Sequence, residues 1–154
     1  MNHLYLFTLE IVSLKIGATY NDLPSHLTLM SRFVSDLSPD ELSNLVQPLC
    51  ADTEPVGLLF GDTIKLGPKK VTAHMVDSPD EQLLHGRIQT LLDESGVIFQ
   101  YPQFIGVNHK AHVTQRDGVD FPPKTQVLSL AVYLIEVVDG RRVVRSRLDL
   151  GVGD

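Results

Sequence analysis

The chain has 154 residues, 43% of them hydrophobic, which suits one globular unit over 1–154 rather than two large independent domains. Thirteen Lys and Arg stand against 19 Asp and Glu, a formal net charge of -6, so the chain as a whole does not attract a long phosphate backbone and long duplex nucleic acid is not an expected partner. The single cysteine, Cys50, excludes an internal disulfide, and the absence of a Cys-x-x-Cys or Cys/His cluster argues against structural zinc.

Met1 is not followed by a basic segment and an apolar core, and every later apolar run is interrupted before it reaches membrane-spanning length. The expectation is a soluble cytoplasmic monomer with no membrane contact. "LYLFTLEIV" and "HLTLMSRFV" read as strands, separated by "GATYNDLPS" with its turn formers. At "SPDELSNLVQPL" Ser38 is placed to cap a helix, with Pro39 in its first position, Glu41 at the capping-box position, and Leu42, Leu45, Val46 and Leu49 as an apolar stripe; the helix ends near Cys50, an inert, partly buried position.

"EPVGLLFGDTIKLG" and "KKVTAHMVD" are strands. "SPDEQLLHGRIQTLLDESG" is a second capped helix, with Leu83, Leu84, Ile88, Leu91 and Leu92 on its apolar face and Gly96 as its stop. After the loop "YPQFIGVNHK" come the short strand "AHVTQR", a Pro-Pro break, the long strand "QVLSLAVYLIEVV", an Asp139-Gly140 hairpin turn and the returning strand "RRVVRSRLDL". Helices alternating with groups of strands imply two α+β lobes packed as one unit.

Cations are distributed unevenly. Residues 1–60 contain only Lys15 and Arg32, whereas 110–154 contain seven. A phosphate site must draw its charge locally, which suits a small nucleotide or a short RNA end.

Two stretches carry chemistry. In "SHLTL" His26 and Thr28 share one strand face, about 6.6 Å apart along the backbone, and in "AHVTQ" His112 and Thr114 do the same. Leu27, Leu29 and Val113 point the other way, toward packing. A neutral imidazole removes a proton from water or a hydroxyl, an imidazolium returns one to a leaving oxygen, and threonine hydroxyls donate to phosphoryl oxygens. No metal or cofactor is needed for that chemistry. His109 falls in the loop before the second motif, His74 on a strand face, His85 in the second helix and His3 near a frayed terminus, and none of them completes a His-x-x-x-His zinc pattern. Around the motifs Arg116 is the favoured phosphate-side cation, with Lys110 beside it, while Tyr101, Phe104 and Tyr20 are candidate stacking surfaces for a base.

Two His-x-Thr elements, in "PSHLTL" and "KAHVTQ", 86 positions apart with two helices and several strands between and around them, resemble the 2H phosphoesterase superfamily, which includes the RNA 2',3'-cyclic phosphodiesterases known as 2'-5' RNA ligases. The second element departs from the usual pattern at Ala111 and Gln115. The resemblance implies a bilobal α+β fold of pseudo-two-fold symmetry, with two antiparallel sheets lining a groove and helices outside. It implies catalysis by His26, Thr28, His112 and Thr114, with His112 as base and His26 as acid, on a 2',3'-cyclic phosphate or a linear 2'-5' or 3'-5' oligonucleotide. Cyclic oligonucleotide signals, the substrates of viral-type members, are the alternative. A catalytically silent nucleotide-binding module is the non-enzymatic one.

Overall fold

The computed structural model describes residues 2–116 and 119–151. It is an α+β fold in which strands β1 (His3–Glu10), β2 (Thr19–Tyr20) and β3 (His26–Ser35) precede helix α1 (Pro39–Ala51). Strands β4 (Val56–Leu66) and β5 (Val71–Asp77), helix α2 (Pro79–Glu94) and strands β6 (Ile98–Phe99), β7 (His112–Thr114), β8 (Gln126–Ser129), β9 (Ala131–Val138) and β10 (Arg141–Asp149) follow.

The strands pair antiparallel throughout and form one ten-stranded sheet in the order β2-β10-β9-β1-β3-β7-β5-β4-β8, with β6 on the remaining part of β3. The sheet is continuous, but among the described residues its two halves are joined by a single pair, Leu27 opposite Val113 in β3 and β7. It is also sharply bent. Strand β8 is the last in the order and β9 the third, yet only Leu130 separates them in the chain, so Ser129 and Ala131 lie within about 7 Å of each other. The far edge therefore turns back toward β9, and Leu150 N–H fastens the crossing by donating to the Leu130 carbonyl at 2.9 Å.

Both helices cover one face of the sheet, α1 against β9 and β10 and α2 against β3 and β4. The core between them takes residues from both halves, including Tyr5, Phe7, Leu27, Phe33, Phe60 and Val113. In β4 the alternation is explicit, with Val56, Leu58 and Phe60 buried and Gly57 and Leu59 exposed. A smaller cluster of Leu6, Leu14, Leu23, Tyr133, Ile135 and Val144 is covered by the segment between β1 and β3. Among the described residues no helix is long and apolar enough to cross a membrane.

Several sequence expectations need correction. "QVLSLAVYLIEVV" is two strands, β8 and β9, which pair in different halves of the sheet. Leu83 is exposed, because the buried stripe of α2 runs through Glu81, Leu84, His85, Ile88 and Leu92. His3 is not frayed, since its Nδ1 lies 2.7 Å from Glu136 Oε2 and its ring stacks on Tyr5. Cys50 is fully rather than partly buried, and burial pushes its thiol pKa up to about 12. The hairpin turn is as expected: Asp139 and Gly140 have φ of 51° and 75°, the pair of left-handed residues that a two-residue turn between twisted strands requires.

The two Ser-Pro-Asp-Glu openings use identical residues differently. At α1 the box is complete: Glu41 N–H donates to Ser38 Oγ at 3.2 Å, and Ser38 N–H donates to Glu41 Oε1 at 3.0 Å. At α2 Ser78 Oγ accepts from Glu81 N–H at 3.1 Å and donates to the Gly57 carbonyl at 2.6 Å, while the Glu81 carboxylate goes to His109 instead. Ser38→Ala should cost about 1 kcal/mol, as for an exposed cap. Ser78→Ala should cost more, about 2 kcal/mol, because it also removes a second hydrogen bond, the one to the Gly57 carbonyl. Urea denaturation at matched m-values measures both.

Candidate active site

The two His-x-Thr elements meet where the halves of the sheet join. With Leu27 opposite Val113, antiparallel register sets His26 against Thr114 and Thr28 against His112. Leu27 and Val113 are fully buried and point to the helices, so the four chemical side chains share the other face. The imidazoles are on diagonal neighbours, residues about 7–8 Å apart by sheet geometry with their Cβ atoms somewhat closer, a separation that a phosphate between them spans.

Each imidazole is oriented in the same way. His26 Nδ1 lies 2.8 Å from the Pro24 carbonyl and His112 Nδ1 lies 2.9 Å from the Lys110 carbonyl, in each case two residues earlier in the chain. A carbonyl only accepts, so each Nδ1 carries a hydrogen and each Nε2 is the ring nitrogen left without a backbone partner. Burial is the main influence lowering the pKa of His26. The Pro24 bond opposes it, and the positive charges of Arg116, His112 and Arg142 add to it.

Two recesses adjoin at Thr28 and Ser31, which line both. The first, 240 Å³, contains His26, Tyr101, Asp22 and the arginines Arg32, Arg116 and Arg142. The second, 490 Å³, contains His112, Lys110 and His109 with the apolar side chains of Ile64, Leu66, Met75 and Phe104. Of the residues singled out in the sequence, Arg116 and Tyr101 therefore stand beside His26, and Lys110 and Phe104 beside His112. Thr114 lies on the same sheet face without lining either recess. Tyr20 is elsewhere: it pairs with Arg142 on β10 and packs on the smaller apolar cluster, whose burial it serves.

Ser31, Arg32 and Arg142 were not legible in the sequence. The first two reach the cleft because β3 carries two extra residues opposite β1, where the register passes from Tyr5↔Phe33 through Phe7↔Met30 to Thr8↔Thr28. Such bulges break the two-residue alternation. Leu29 and Met30 consequently both enter the core, and Ser31 and Arg32 both line the cleft. Arg142 comes from the far end of the chain. Its Nη1 donates to the Asn21 carbonyl at 2.6 Å, which draws the β10 end against the loop before β3. Among the described residues no group of three or more His, Cys, Asp and Glu could hold a metal ion.

The wall of the second recess is clamped to α2. His85 Nδ1–H donates to the Leu29 carbonyl, in the bulged part of β3, at 2.7 Å, and its Nε2 accepts from Gly106 N–H at 2.9 Å. His109 stacks on His85 with ring centres 3.9 Å apart and places Nε2 2.5 Å from Glu81 Oε2, while Gln82 Nε2 donates to the Gly106 carbonyl. Burial, with a smaller contribution from His109, holds the pKa of His85 down at about 4 against an ordinary value of 6.5. The unfolded chain therefore takes up this proton first, and the stabilisation is complete above pH 6.5 and lost as pH falls toward 4. Between pH 7 and 4.5 the wild type should lose more Tm than His85→Gln. Gly106 amide exchange should accelerate over the same interval once corrected for intrinsic rates.

With this geometry in place, comparison with known proteins gives consistent results. The sequence profile of the 2'-5' RNA ligase superfamily matches residues 9–102. No curated protein gives a significant match. Among solved structures, E. coli LigT complexed with 3'-AMP superposes with a TM-score of 0.66 at 16% identity, covering 97% of this chain and 99% of that one. E. coli LigT in its apo form gives 0.63 at 16% identity, with 97% and 98% covered, and a structure described as a phosphoesterase gives 0.61 at 16%, with 97% and 99% covered. At such identities these structures establish the fold, and the profile, which matches well over half of the chain, establishes that this protein belongs to the 2'-5' RNA ligase superfamily.

Proposed function

We propose that the chain is a metal-independent phosphodiesterase that hydrolyses a 2',3'-cyclic phosphate on a small nucleotide or RNA end, using His26 and His112 as its two proton-transfer groups. One observation carries the reading: two His-x-Thr elements cross antiparallel where, among the described residues, the halves of the sheet join, each imidazole held through Nδ1 with its Nε2 left open toward the recesses. A binding module has no need of two groups so arranged. We read the halves on either side of the joint as two lobes of a pseudo-two-fold monomer, with the cleft as the groove between them. That E. coli LigT, which shares this fold, forms a complex with 3'-AMP supports a nucleotide as ligand.

In the reaction water attacks phosphorus, and the bond from phosphorus to one ribose oxygen breaks. One Nε2 accepts the proton of the water, and the other gives a proton to the departing ribose oxygen, leaving a phosphate monoester and a free hydroxyl. Thr28 and Thr114 donate to the non-bridging oxygens as charge builds on them. The family resemblance makes His112 the base, but the electrostatics favour the reverse. Burial and the neighbouring guanidinium groups lower the pKa of His26, which keeps it neutral and ready to accept. We assign His26 as base and His112 as acid.

His26→Ala and His112→Ala, each verified as folded, should lower kcat by about 10²- to 10⁴-fold. A substrate with a much better leaving group should rescue His112→Ala more than His26→Ala, and the opposite pattern reverses the assignment. The pH profile of kcat/KM should be bell-shaped. Its acid limb should lie below pH 6.5, because His26 must lose its proton and its pKa is lowered from that value. Thorough chelation should leave turnover intact, and activity restored only by a stoichiometric metal would rule out this chemistry. A product assay across nucleoside 2',3'-cyclic phosphates, linear 2'-5' and 3'-5' oligomers and cyclic oligonucleotides identifies the bond broken. Turnover of cyclic oligonucleotides alone would select the signal-cleaving alternative.

A further inference from the structure

We infer that the recess beside His26 is a subsite for a second phosphoryl group of the substrate, built by Arg32, Arg116 and Arg142; this rests on the cyclic-phosphate reading above. The three side chains come from distant parts of the chain, β3, the segment after β7 and β10, and converge on one 240 Å³ space. That space is equivalent to about eight water molecules, more than one phosphoryl group fills. A cyclic phosphodiester carries one negative charge, and the two histidines and the threonine hydroxyls already serve it.

Three guanidinium groups in one recess repel one another unless an anion sits among them. Elsewhere on β10 this is handled by ion pairing, with Arg145 on Glu136 at 2.8 Å and Arg147 on Glu10 and Asp149. Among the described residues Arg32, Arg116 and Arg142 make no such pair, and Arg116 Nε is buried without a partner. Among the described residues the one carboxylate in the lining, Asp22, is exposed. The cleft is thus polarised. Its His112 side is largely apolar and suits a base, whereas its His26 side is cationic and suits another phosphate. That phosphate is either a 5'-monoester on the reacting nucleoside or the diester linking it to the preceding nucleotide.

The test compares three substrates on the full chain: a nucleoside 2',3'-cyclic phosphate, the same compound with a 5'-phosphate, and a dinucleotide ending in the cyclic phosphate. At least one two-phosphate substrate should gain about tenfold or more in kcat/KM, the effect of one charge-assisted contact, and which one gains names the source. Arg32→Gln and Arg142→Gln should each bring the ratio of two-phosphate to one-phosphate substrates toward one, whatever their effect on the absolute rate. Equal kcat/KM for all three substrates in the wild type overturns the subsite. A calorimetric comparison of a nucleoside 3',5'-bisphosphate with the 3'-monophosphate covers the case in which nothing turns over. Tighter binding of the bisphosphate, about tenfold and weakening with salt, keeps the subsite while the hydrolase reading fails, and equal affinity removes the subsite itself.

Discussion

Everything at the candidate site depends on one backbone pairing, Leu27 opposite Val113. Among the described residues it is the only ladder contact between the halves of the sheet, and it sits in the middle of both His-x-Thr elements. Because side chains alternate across a strand, a slip of one residue in either strand would carry its histidine and threonine into the helix-covered core and bring buried apolar side chains into the cleft. Full burial of Leu27 and Val113 opposes such a slip. The core therefore enforces the relation between the imidazoles, and no direct bond between them is needed. β5 supports it from the other side, with Ala73, His74 and Met75 paired to Thr114, Val113 and His112.

The rest of the cleft is made by departures from regular structure. The two extra residues in β3 turn Ser31 and Arg32 toward the cleft, and His85 on α2 takes up the carbonyl of Leu29 in that irregular stretch. The same ring holds Gly106, and so the loop whose Lys110 carbonyl orients His112. Helix, bulge and loop form one hydrogen-bonded chain from the core to the second imidazole. This also explains why Glu81 leaves its capping box, since a buried carboxylate beside His109 is satisfied there and closes the stack.

Local patterns made much of the molecule readable from sequence. Both helix starts, the Asp139-Gly140 turn and the two His-x-Thr strands follow from residue types within a few positions, and the shared face of His26 and Thr28 follows from alternation alone. What escaped depends on distant pairing. Nothing in "SLAVYL" reveals that Leu130 divides strands bound for different halves of the sheet, because both sides of it are equally strand-like. Arg142 gives no local sign of reaching the first motif, and Arg32 and Ser31 owe their direction to bulges that only the partner strand defines. Tyr20 shows the converse error, an aromatic residue near the motif whose ring belongs to a core.

The order in which the chain visits its two halves also governs how the molecule is assembled. β1 lies between β3 and β9, so the strand neighbouring the first motif lacks one of its own partners until residues 131–138 have left the ribosome, and Arg142 arrives later still. The chain cannot be divided at its midpoint into two folding units, because its last two strands complete the sheet begun by its first. The nascent protein can expose both histidine motifs and still have no finished cleft. Loss of the final hairpin by premature termination would therefore disable a site whose two motifs remain intact.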